Sequence, residues 1–261
     1  INWPCLVNAF YLSKIKYQIL INLHLIKSLS IIIPVFNESL TIYELLDTVN
    51  NLIIKNGIKK EIVVVNDFSK DESKKEILRF IKENSSSNIT FIENDLNLGK
   101  GGSIKKALEI VNGDYCIIQD ADLELDPQQI NDLLEPVLKD EAEIVYGSRF
   151  INSKKKKKES ILNRIANKLL TALGNFCFGV KLTDMQTCYK LIPTKIFKQL
   201  DLKENRFAFD PEVTAKLAKN KNLRWKEIPI TYNPRTVDEG KKIRWRDGFR
   251  ALFSIVRYGL F

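Results

Sequence analysis

Two aspartates one residue apart, Asp120 and Asp122, are the side chains of this sequence best suited to bind a metal cation. They follow a short apolar run, residues 115–118, which Gly113 precedes, and this pattern is typical of a buried strand. Two carboxylates in the turn that ends a strand can share one divalent cation, Mg²⁺ or Mn²⁺, and such a cation could hold a diphosphate. Asp-x-Asp is also a common surface turn, so the pair alone leaves both interpretations open.

Similar apolar runs precede other polar clusters between residues 30 and 150, and segments with apolar residues at helical spacing separate them. This alternation indicates a parallel sheet covered by helices on both faces. Because the carboxyl ends of parallel strands meet at one edge of a sheet, we expect Glu38 and Asp67 to share one site with the aspartate pair. The predicted strands span residues 30–36, 61–65, 89–92, 115–118 and 144–146.

A glycine-rich turn, Asn97–Gly102, follows the third predicted strand. Glycines there let the backbone approach a ligand closely. The turn lacks the Gly-x-Gly-x-x-Gly spacing of dinucleotide-binding proteins and the full phosphate-loop signature. The sequence therefore argues against a dehydrogenase or an ATPase.

The composition favours one large α/β domain with an anionic partner. The chain has 261 residues, of which 44% are hydrophobic, enough to bury a substantial core. Its 41 lysines and arginines against 32 acids give a net charge of +9, which suggests nucleic acid, an anionic membrane surface or a phosphorylated substrate. We find no nucleic-acid-binding module and no basic patch interleaved with aromatics, so a nucleic-acid partner is not predicted.

Cysteine and histidine contribute little to the predicted chemistry. The four cysteines show no paired spacing, which predicts reduced thiols in a cytosolic setting. The single histidine, His24, lies in a segment that we do not expect in the folded core, so zinc sites and histidine acid–base catalysis have little support. Any acid–base work would fall to aspartate and glutamate.

Membrane contact, if any, is predicted to be peripheral. We find no signal peptide and no uninterrupted apolar run of about 18 residues, so we expect no membrane-spanning helix. Residues 1–28 are an extension of uncertain structure, in a sequence that begins with Ile1. The run Lys154–Lys158 predicts a solvated loop, either an inert surface feature or a grip on an anionic substrate or lipid. Residues 245–256 predict an amphipathic helix, flanked by arginines, that could dock on the core or on anionic lipid.

Seven segments of the sequence form an ordered set of motifs: SIIIPVFNE (30–38), EIVVVNDFSKD (61–71), NLGKGG (97–102), GDYCIIQDAD (113–122), YGSRF (146–150), LTDMQTCYK (182–190) and GKKIRWRDG (240–248). Taken in order, these motifs resemble those of family-2 inverting glycosyltransferases, and they are similar to the polyprenyl-phosphate (dolichyl-phosphate) glucose and mannose synthases. The resemblance runs from about Leu29 to Leu260. It implies a GT-A-like (Rossmann-like), mostly parallel α/β sheet with helices on both faces, in a single domain over residues 29–232. A basic loop and a C-terminal amphipathic helix would follow in residues 233–261.

The resemblance also implies roles for individual residues. Asp120 and Asp122 would bind nucleotide and metal, Mg²⁺ or Mn²⁺, and Asp67 would face the base. Asp184 and Gln186 would line the sugar and acceptor side. Three further groups complete the implied site: Pro34, Phe36, Glu38 and Lys100 around the nucleotide, Arg149 and Arg164 against phosphates, and Arg235, Lys241 and Lys242 on a mobile basic segment that closes over the diphosphate.

Two positions depart from the family pattern. Asn66 replaces the first acid of the usual Asp-Asp pair, and Phe68 replaces the usual glycine before Ser69. Because the second acid, Asp67, is retained, we expect base recognition to survive. In the later segment 206–212, either Asp210 or Glu212 could face the site.

The implied reaction is transfer of a hexose, with inversion, from a nucleotide-diphosphate sugar to polyprenyl phosphate at the cytosolic face of a membrane. UDP-glucose is the favoured donor and GDP-mannose the alternative. The protein would act peripherally or through a membrane-anchored partner protein. A phosphate acceptor needs no strong base, whereas the rival acceptor, a saccharide hydroxyl, would require one such as Asp184 or Asp210. A catalytically inert nucleotide-sugar binder is a third hypothesis, against which the intact aspartate pair argues.

Overall fold

The computed structural model describes residues 26–152, 160–235 and 245–260, with the side chains of 245–247 and 260 left out. The N-terminal extension through residue 25, the lysine run, and Lys241 and Lys242 lie outside the described residues.

A seven-stranded sheet in the order β3-β2-β1-β4-β6-β5-β7 forms the centre of the described chain. All neighbouring strands pair in parallel except those that involve β6, which runs antiparallel to both β4 and β5. The predicted mostly parallel α/β sheet is therefore confirmed. The strands are β1 (Ser28–Val35), β2 (Lys59–Asn66), β3 (Ile89–Glu93), β4 (Tyr115–Ile118), β5 (Ile144–Ser148), β6 (Lys190–Pro193) and β7 (Trp225–Pro229).

Helices connect the strands and cover the sheet. Short 3₁₀ helices span Lys55–Gly57 and Pro127–Gln129. The second begins with Pro127 after Asp126, whose carboxylate accepts a hydrogen bond from the Gln128 backbone N–H, as expected of a helix-capping aspartate. The α-helices are α1 (Ile42–Asn51), α2 (Ser73–Glu83), α3 (Lys100–Ile110), α4 (Ile130–Leu138), α5 (Ile161–Phe178), α6 (Thr194–Lys198), α7 (Phe209–Ala218) and α8 (Trp245–Leu260).

The central strands are buried on both faces, which explains their continuous apolar sequences. Residues Ile31, Ile32 and Ile33 of β1 are fully buried, as are Ile117 and Ile118 of β4. Side chains that point to opposite faces of a strand can all be buried only if the sheet is covered on both sides. Helical packing on both faces was predicted, and the burial pattern confirms it.

The reversal at β6 decides which residues reach one edge of the sheet. Because β4 and β5 both run antiparallel to β6, β5 points in the same direction as β1 and β4. The residues after β1, β2, β4, β5 and β7 therefore lie at the same edge, where open α/β sheets bind their ligands. The registers place Val35 beside Asn66, and the Asp67 N–H donates to the Val35 carbonyl at 2.7 Å.

Two helices, α5 and α8, pack against each other. Helix α5 runs from Ile161 to Phe178, where Gly179 ends it in the left-handed conformation. Ile255 and Ser254 of α8 are buried, and the Ser254 hydroxyl donates to the carbonyl of Ala208 at the start of α7. Among the described residues, no helix combines the length and apolar character that crossing a bilayer requires.

Candidate active site

Four carboxylates gather at the carboxyl edge of the sheet, and two basic side chains bind them. Asp120 and Asp122 follow β4, Glu38 follows β1, and Glu124 lies in the same turn as the aspartate pair. The Lys100 ammonium, at the first residue of α3, lies 2.6 Å from Asp120 Oδ1. The cluster thus brings together residues that the sequence separates by about eighty positions, as the strand topology predicts.

Arg235, in the segment after β7, binds three of these carboxylates. Its Nη1 and Nη2 donate to the two carboxylate oxygens of Glu38 at 2.9 and 3.0 Å. Nη2 also lies 3.3 Å from Asp122 Oδ2, and the backbone N–H of Arg235 donates to Glu124 Oε1 at 2.7 Å. A bidentate guanidinium–carboxylate pair is among the strongest hydrogen-bonded contacts in proteins, so Arg235 holds the segment after β7 over the aspartates.

The two aspartates titrate differently because their neighbours differ. Burial disfavours the charge of Asp120, but the Lys100 ammonium outweighs it and lowers the pKa of Asp120 below its usual value. Burial and the charges of Asp120 and Glu124 raise the pKa of Asp122 to about 7, although Arg235 opposes this rise. The cluster therefore holds more negative charge than Lys100 and Arg235 neutralise, and a further cation would stabilise it.

The chemistry of this donor set fits a divalent cation. Mg²⁺ and Mn²⁺ prefer carboxylate oxygens, and Mg²⁺ is commonly held by one or two carboxylates together with substrate phosphates. Within the described ranges, no group of three or more His, Cys, Asp or Glu side chains forms a ready-made metal site. Asp120 and Asp122 could thus supply two ligands, and phosphate oxygens of a ligand would complete the coordination.

Asp67 lies at the end of β2, and its carboxylate binds the glycine-rich turn. Oδ1 accepts from Asn94 Nδ2 and the Leu98 N–H, each at 2.8 Å. Oδ2 accepts from Asn97 Nδ2 at 2.8 Å and from the Gly99 N–H at 2.7 Å. Four donors fill the usual acceptor capacity of a carboxylate. In this structure, Asp67 shapes the turn that would surround a nucleotide.

Gly99 is required at the point where this turn enters α3. Its φ of +82° is a conformation that only glycine adopts without strain, and a Cβ there would lie 2.6 Å from the Asn205 carbonyl oxygen. The turn is therefore pressed against the segment that precedes α7.

Asn66 and Phe68, the two residues that depart from the family pattern, lie directly before and after Asp67. Phe68 has a φ of +60°, where the usual glycine would be unstrained, and the Lys70 ammonium lies 3.4 Å from the centre of its ring. Asn66 is buried, and its Nδ2 makes no hydrogen bond. Pro34 and Phe36, at the end of β1, are partly exposed at the same edge of the sheet.

Arg149 and Asp184 form a buried ion pair at the end of β5. The Arg149 Nε and Nη2 donate to Asp184 at 2.7 and 2.8 Å, and the Arg149 backbone N–H donates to the same carboxylate at 3.0 Å. Although burial disfavours its charge, the ion pair raises the pKa of Arg149 above the usual value. Glu227 of β7 accepts from the backbone N–H groups of Thr183 and Asp184, which fixes the turn that carries this aspartate.

The ring of Phe150 is surrounded by three basic side chains. Arg149 and Arg164 lie 5.7 and 5.2 Å from its centre, and Lys168 lies 6.0 Å away. Arg149 also lies 5.3 Å from the ring of Tyr232. The negative face of an aromatic ring attracts cations at such distances, so Phe150 holds together charges that would otherwise repel. The structure thus brings Arg149 and Arg164 to one place, and their contact with phosphates stays a prediction.

Of the two acids left open in segment 206–212, Asp210 is the one whose charge acts on Arg149 of the Arg149–Asp184 pair. Its carboxylate pairs with the fully buried ammonium of Lys190, which also donates a hydrogen bond to the Thr187 carbonyl. Glu212 instead accepts from the backbone N–H groups of Lys203 and Glu204 and pairs with Lys216, a structural role. Gln186 is partly exposed, with its Nε2 buried and unbonded.

Sequence comparison identifies the family. The model of glycosyl transferase family 2 matches residues 30–201, which include the edge of the sheet that carries Glu38, Asp67, Asp120 and Asp122. The chain belongs to glycosyl transferase family 2. The predicted family is therefore confirmed, and the chemistry of this glycosyltransferase is transfer of a sugar.

Several relatives of this family-2 glycosyltransferase have names that specify a lipid-phosphate acceptor. A dolichyl-phosphate beta-glucosyltransferase of Dictyostelium discoideum is 28% identical over 248 residues, which cover 88% of this chain and 73% of that protein. A UDP-N-acetylglucosamine–dolichyl-phosphate N-acetylglucosaminyltransferase of Methanococcus voltae is 30% identical over 221 residues, covering 78% of this chain and 85% of that protein.

Solved structures show that the glycosyltransferase has the predicted GT-A-like fold. Glucosyl-3-phosphoglycerate synthase from Mycobacterium tuberculosis, in complex with Mn²⁺, UDP and glucosyl-3-phosphoglycerate, matches with a TM-score of 0.65 at 15% identity over 90% of this chain and 81% of that one. A complex of the same synthase with Mn²⁺, UDP-glucose and phosphoglyceric acid gives a TM-score of 0.67 at 15% identity, covering 90% and 80% of the two chains.

Sequence reasoning missed three features of this site. Glu124 contacts Arg235, and its place two residues after Asp122 was a signal that could have identified it. Phe150 stood in a matched motif, but its role depends on Arg164 and Lys168, which only the fold brings near. Lys190 also stood in a matched motif, residues 182–190, but its role depends on the ion pair with Asp210, which lies twenty residues away.

Proposed function

We propose that this glycosyltransferase moves a hexose from a nucleotide-diphosphate sugar to a polyprenyl phosphate, with inversion at the anomeric carbon. UDP-glucose is the favoured donor and GDP-mannose the alternative. The names of the relatives support the acceptor, and one of them specifies a UDP-sugar donor. The protein would work peripherally at the cytosolic face of a membrane, with or without a membrane-anchored partner protein.

The observation that carries this proposal is that both candidate bases are bound by cations. Asp184 accepts three hydrogen bonds from Arg149, and Asp210 binds the buried Lys190 ammonium. Proton transfer from a hydroxyl to either carboxylate would disrupt its buried ion pair. A saccharide hydroxyl would need such a base. A phosphate monoester has a second pKa of about 6, so it is already largely ionised at neutral pH and attacks without one.

The charges around the site suit a reaction between two anions. The acceptor phosphate must approach a donor that carries a diphosphate, and the leaving nucleotide gains negative charge as the bond to the sugar breaks. Arg164 and Lys168, held on the ring of Phe150, would attract the acceptor phosphate. Lys100 and Arg235 would turn from the carboxylates toward the diphosphate, whose negative charge they would stabilise.

The proposed metal ligands are Asp120 and Asp122. A bound Mg²⁺ or Mn²⁺ would supply positive charge beside the leaving diphosphate. Lys241 and Lys242 belong to the same proposal as further contacts of the diphosphate. Asp67 would hold the glycine-rich turn in place, so that the backbone of Leu98 and Gly99 lies beside the base. Pro34 and Phe36 would line the nucleotide pocket. Asp184 and Gln186 would border the sugar.

The acceptor class can be tested directly. The purified protein would be given UDP-[¹⁴C]glucose with either a short-chain, water-soluble polyprenyl phosphate or a panel of saccharides. We expect label in the lipid phosphate alone, and NMR of the product should show the anomeric configuration opposite to that of the donor. Label in a saccharide and none in the lipid would instead identify a hydroxyl acceptor.

A further inference from the structure

Most of the large apolar side chains exposed in the described part of the chain lie on two neighbouring helices. Fifteen such residues are exposed, and nine of them belong to α5 or α8, which together make up a small part of the chain. Scattered exposed apolar residues are normal in soluble proteins, whereas a concentration of them marks an interaction surface. The nine are Ile161, Leu162, Ile165, Leu169, Phe176, Phe249, Leu252, Phe253 and Val256, which we call the α5–α8 surface.

Helices α5 and α8 carry apolar residues both on the face that packs against the protein and on the face that is exposed to solvent. In α8, Ala251 and Ile255 are buried, while Leu252, Phe253 and Val256 on the other side are exposed. An ordinary surface helix carries polar residues on its outer face. Phe176 and Leu162 of α5 are 87% and 78% exposed, which is far more than core packing would leave. Hydrophobic side chains that the fold does not need for its own core therefore lie outside it.

Close contact between the helices makes the two exposed faces adjoin. Gly259 of α8 lies so near α5 that a Cβ there would be 2.6 Å from Cys177 Cβ. Other residues of the two helices also contact each other. We therefore treat their outer faces as one surface.

The charge of the two helices complements an anionic surface. Their sequences carry Arg164, Lys168, Arg246, Arg250 and Arg257 but only one acid, Asp247. Arg250 and Arg257 are exposed on α8, and Lys168 is exposed on α5. Apolar side chains bordered by arginines and lysines are the composition of helices that lie in the interface of anionic lipid bilayers.

We propose that the α5–α8 surface is a lipid-docking surface that inserts into the headgroup region of an anionic bilayer. The inference rests on the proposed function, because a polyprenyl phosphate is delivered from a bilayer. The same helix α5 carries Arg164 and Lys168 beside Phe150, next to the Arg149–Asp184 pair. Docking therefore places the proposed phosphate-attracting residues at the lipid surface, where the acceptor headgroup lies.

The test compares vesicle binding of the full chain with that of two triple variants. In the first, Leu162→Gln, Phe176→Gln and Phe253→Gln remove three side chains of the α5–α8 surface. In the matched control, Ile53→Gln, Leu78→Gln and Ile110→Gln remove three exposed apolar side chains elsewhere. Binding is measured by flotation with phosphatidylcholine vesicles that contain phosphatidylglycerol, and with vesicles of phosphatidylcholine alone. Transfer to a short-chain, water-soluble polyprenyl phosphate is measured in parallel.

The wild-type protein and the control should bind the anionic vesicles, more weakly at high salt. The partition coefficient of the surface variant should fall by about a hundredfold, because three large apolar groups no longer insert. Its transfer to the soluble acceptor should stay within about twofold of wild type, since the substitutions lie on exposed positions outside the site.

Two results would overturn the docking surface: wild-type protein that does not bind the anionic vesicles, or a surface variant that binds them as wild type does. If the wild-type protein self-associates but does not bind vesicles, and the surface variant does not self-associate, the surface would instead contact a second copy of the chain. A third result would separate the two proposals. If the wild-type protein binds the vesicles and the surface variant does not, but the wild-type protein transfers no sugar to any polyprenyl phosphate, the docking surface is supported and the proposed function is contradicted.

Discussion

Arg149 donates three hydrogen bonds to the Asp184 carboxylate: two from side-chain N–H groups, at 2.7 and 2.8 Å, and one from its backbone N–H at 3.0 Å. The aspartate is completely buried. Within the described part of the chain, all the donors to this carboxylate are thus on one residue, in the turn after β5. The pair links the proposed acceptor side of the site to the sheet, and its integrity should matter for stability as well as for activity.

Replacing Asp184 with Asn should destabilise the protein by about 3 kcal/mol, because the charge of Arg149 would remain buried without its partner. Urea unfolding followed by circular dichroism would measure the loss. Asp201→Asn is the matched control, since Asp201 pairs with Lys203 on the surface and its loss should change stability by less than about 0.5 kcal/mol. Equal effects of the two substitutions would show that the buried pair contributes little.

Replacing Arg235 with Met should tighten Mn²⁺ binding to the nucleotide-free protein by about tenfold, because the guanidinium no longer competes for Glu38 and Asp122. Electron paramagnetic resonance of free Mn²⁺ gives the affinity without any reaction. Arg224→Met is the control, because Arg224 pairs with Asp140 and Glu143 at an exposed position. Unchanged or weaker Mn²⁺ binding by the Arg235 variant would contradict competition at the aspartates.

Asp67→Asn should loosen the glycine-rich turn, since the amide group cannot accept from all four donors that the carboxylate binds. Amide hydrogen exchange of residues 98–103 should become about tenfold faster, and UDP should bind more weakly. Asp95→Asn, at an exposed position in the same connection, should leave both unchanged. Normal exchange in the Asp67 variant would mean that the turn keeps its shape without this carboxylate.

Phe150→Leu should raise the KM for the polyprenyl phosphate more than it lowers kcat, because a leucine keeps the apolar volume but cannot attract Arg164 and Lys168. We expect kcat/KM to fall by about tenfold, which corresponds to the loss of more than one cation–π contact. Phe150→Tyr keeps an aromatic ring and should restore most of the affinity. A tyrosine variant as impaired as the leucine variant would point to a packing role instead.

The strands and the aspartate pair could be predicted from the sequence because their signals are local. The run before Asp120 is apolar over four residues, and the structure has a strand at Tyr115–Ile118. The parallel order of the strands follows from the alternation with helices, and this alone brings Glu38 and Asp67 to the same edge as the aspartates.

Contacts between distant segments could not be predicted in this way. Arg235 and Glu38 are 197 residues apart, and nothing near either residue indicates that their side chains form a bidentate pair. The faces of α5 are a second example. Ile161, Ile165 and Leu169 recur at helical spacing in the sequence, a pattern typical of a buried stripe, but the structure leaves all three exposed.

Transfer of radiolabelled sugar into butanol-extractable polyprenyl phosphate tests the central claim most directly. The assay would use UDP-glucose and, separately, GDP-mannose, with and without Mg²⁺ or Mn²⁺, for the wild-type protein and for Asp122→Asn. We predict metal-dependent lipid product from one donor, UDP-glucose, and a loss of about a hundredfold in the variant. Wild-type protein that consumes or binds a nucleotide sugar but forms no labelled lipid with either donor would contradict the proposed acceptor.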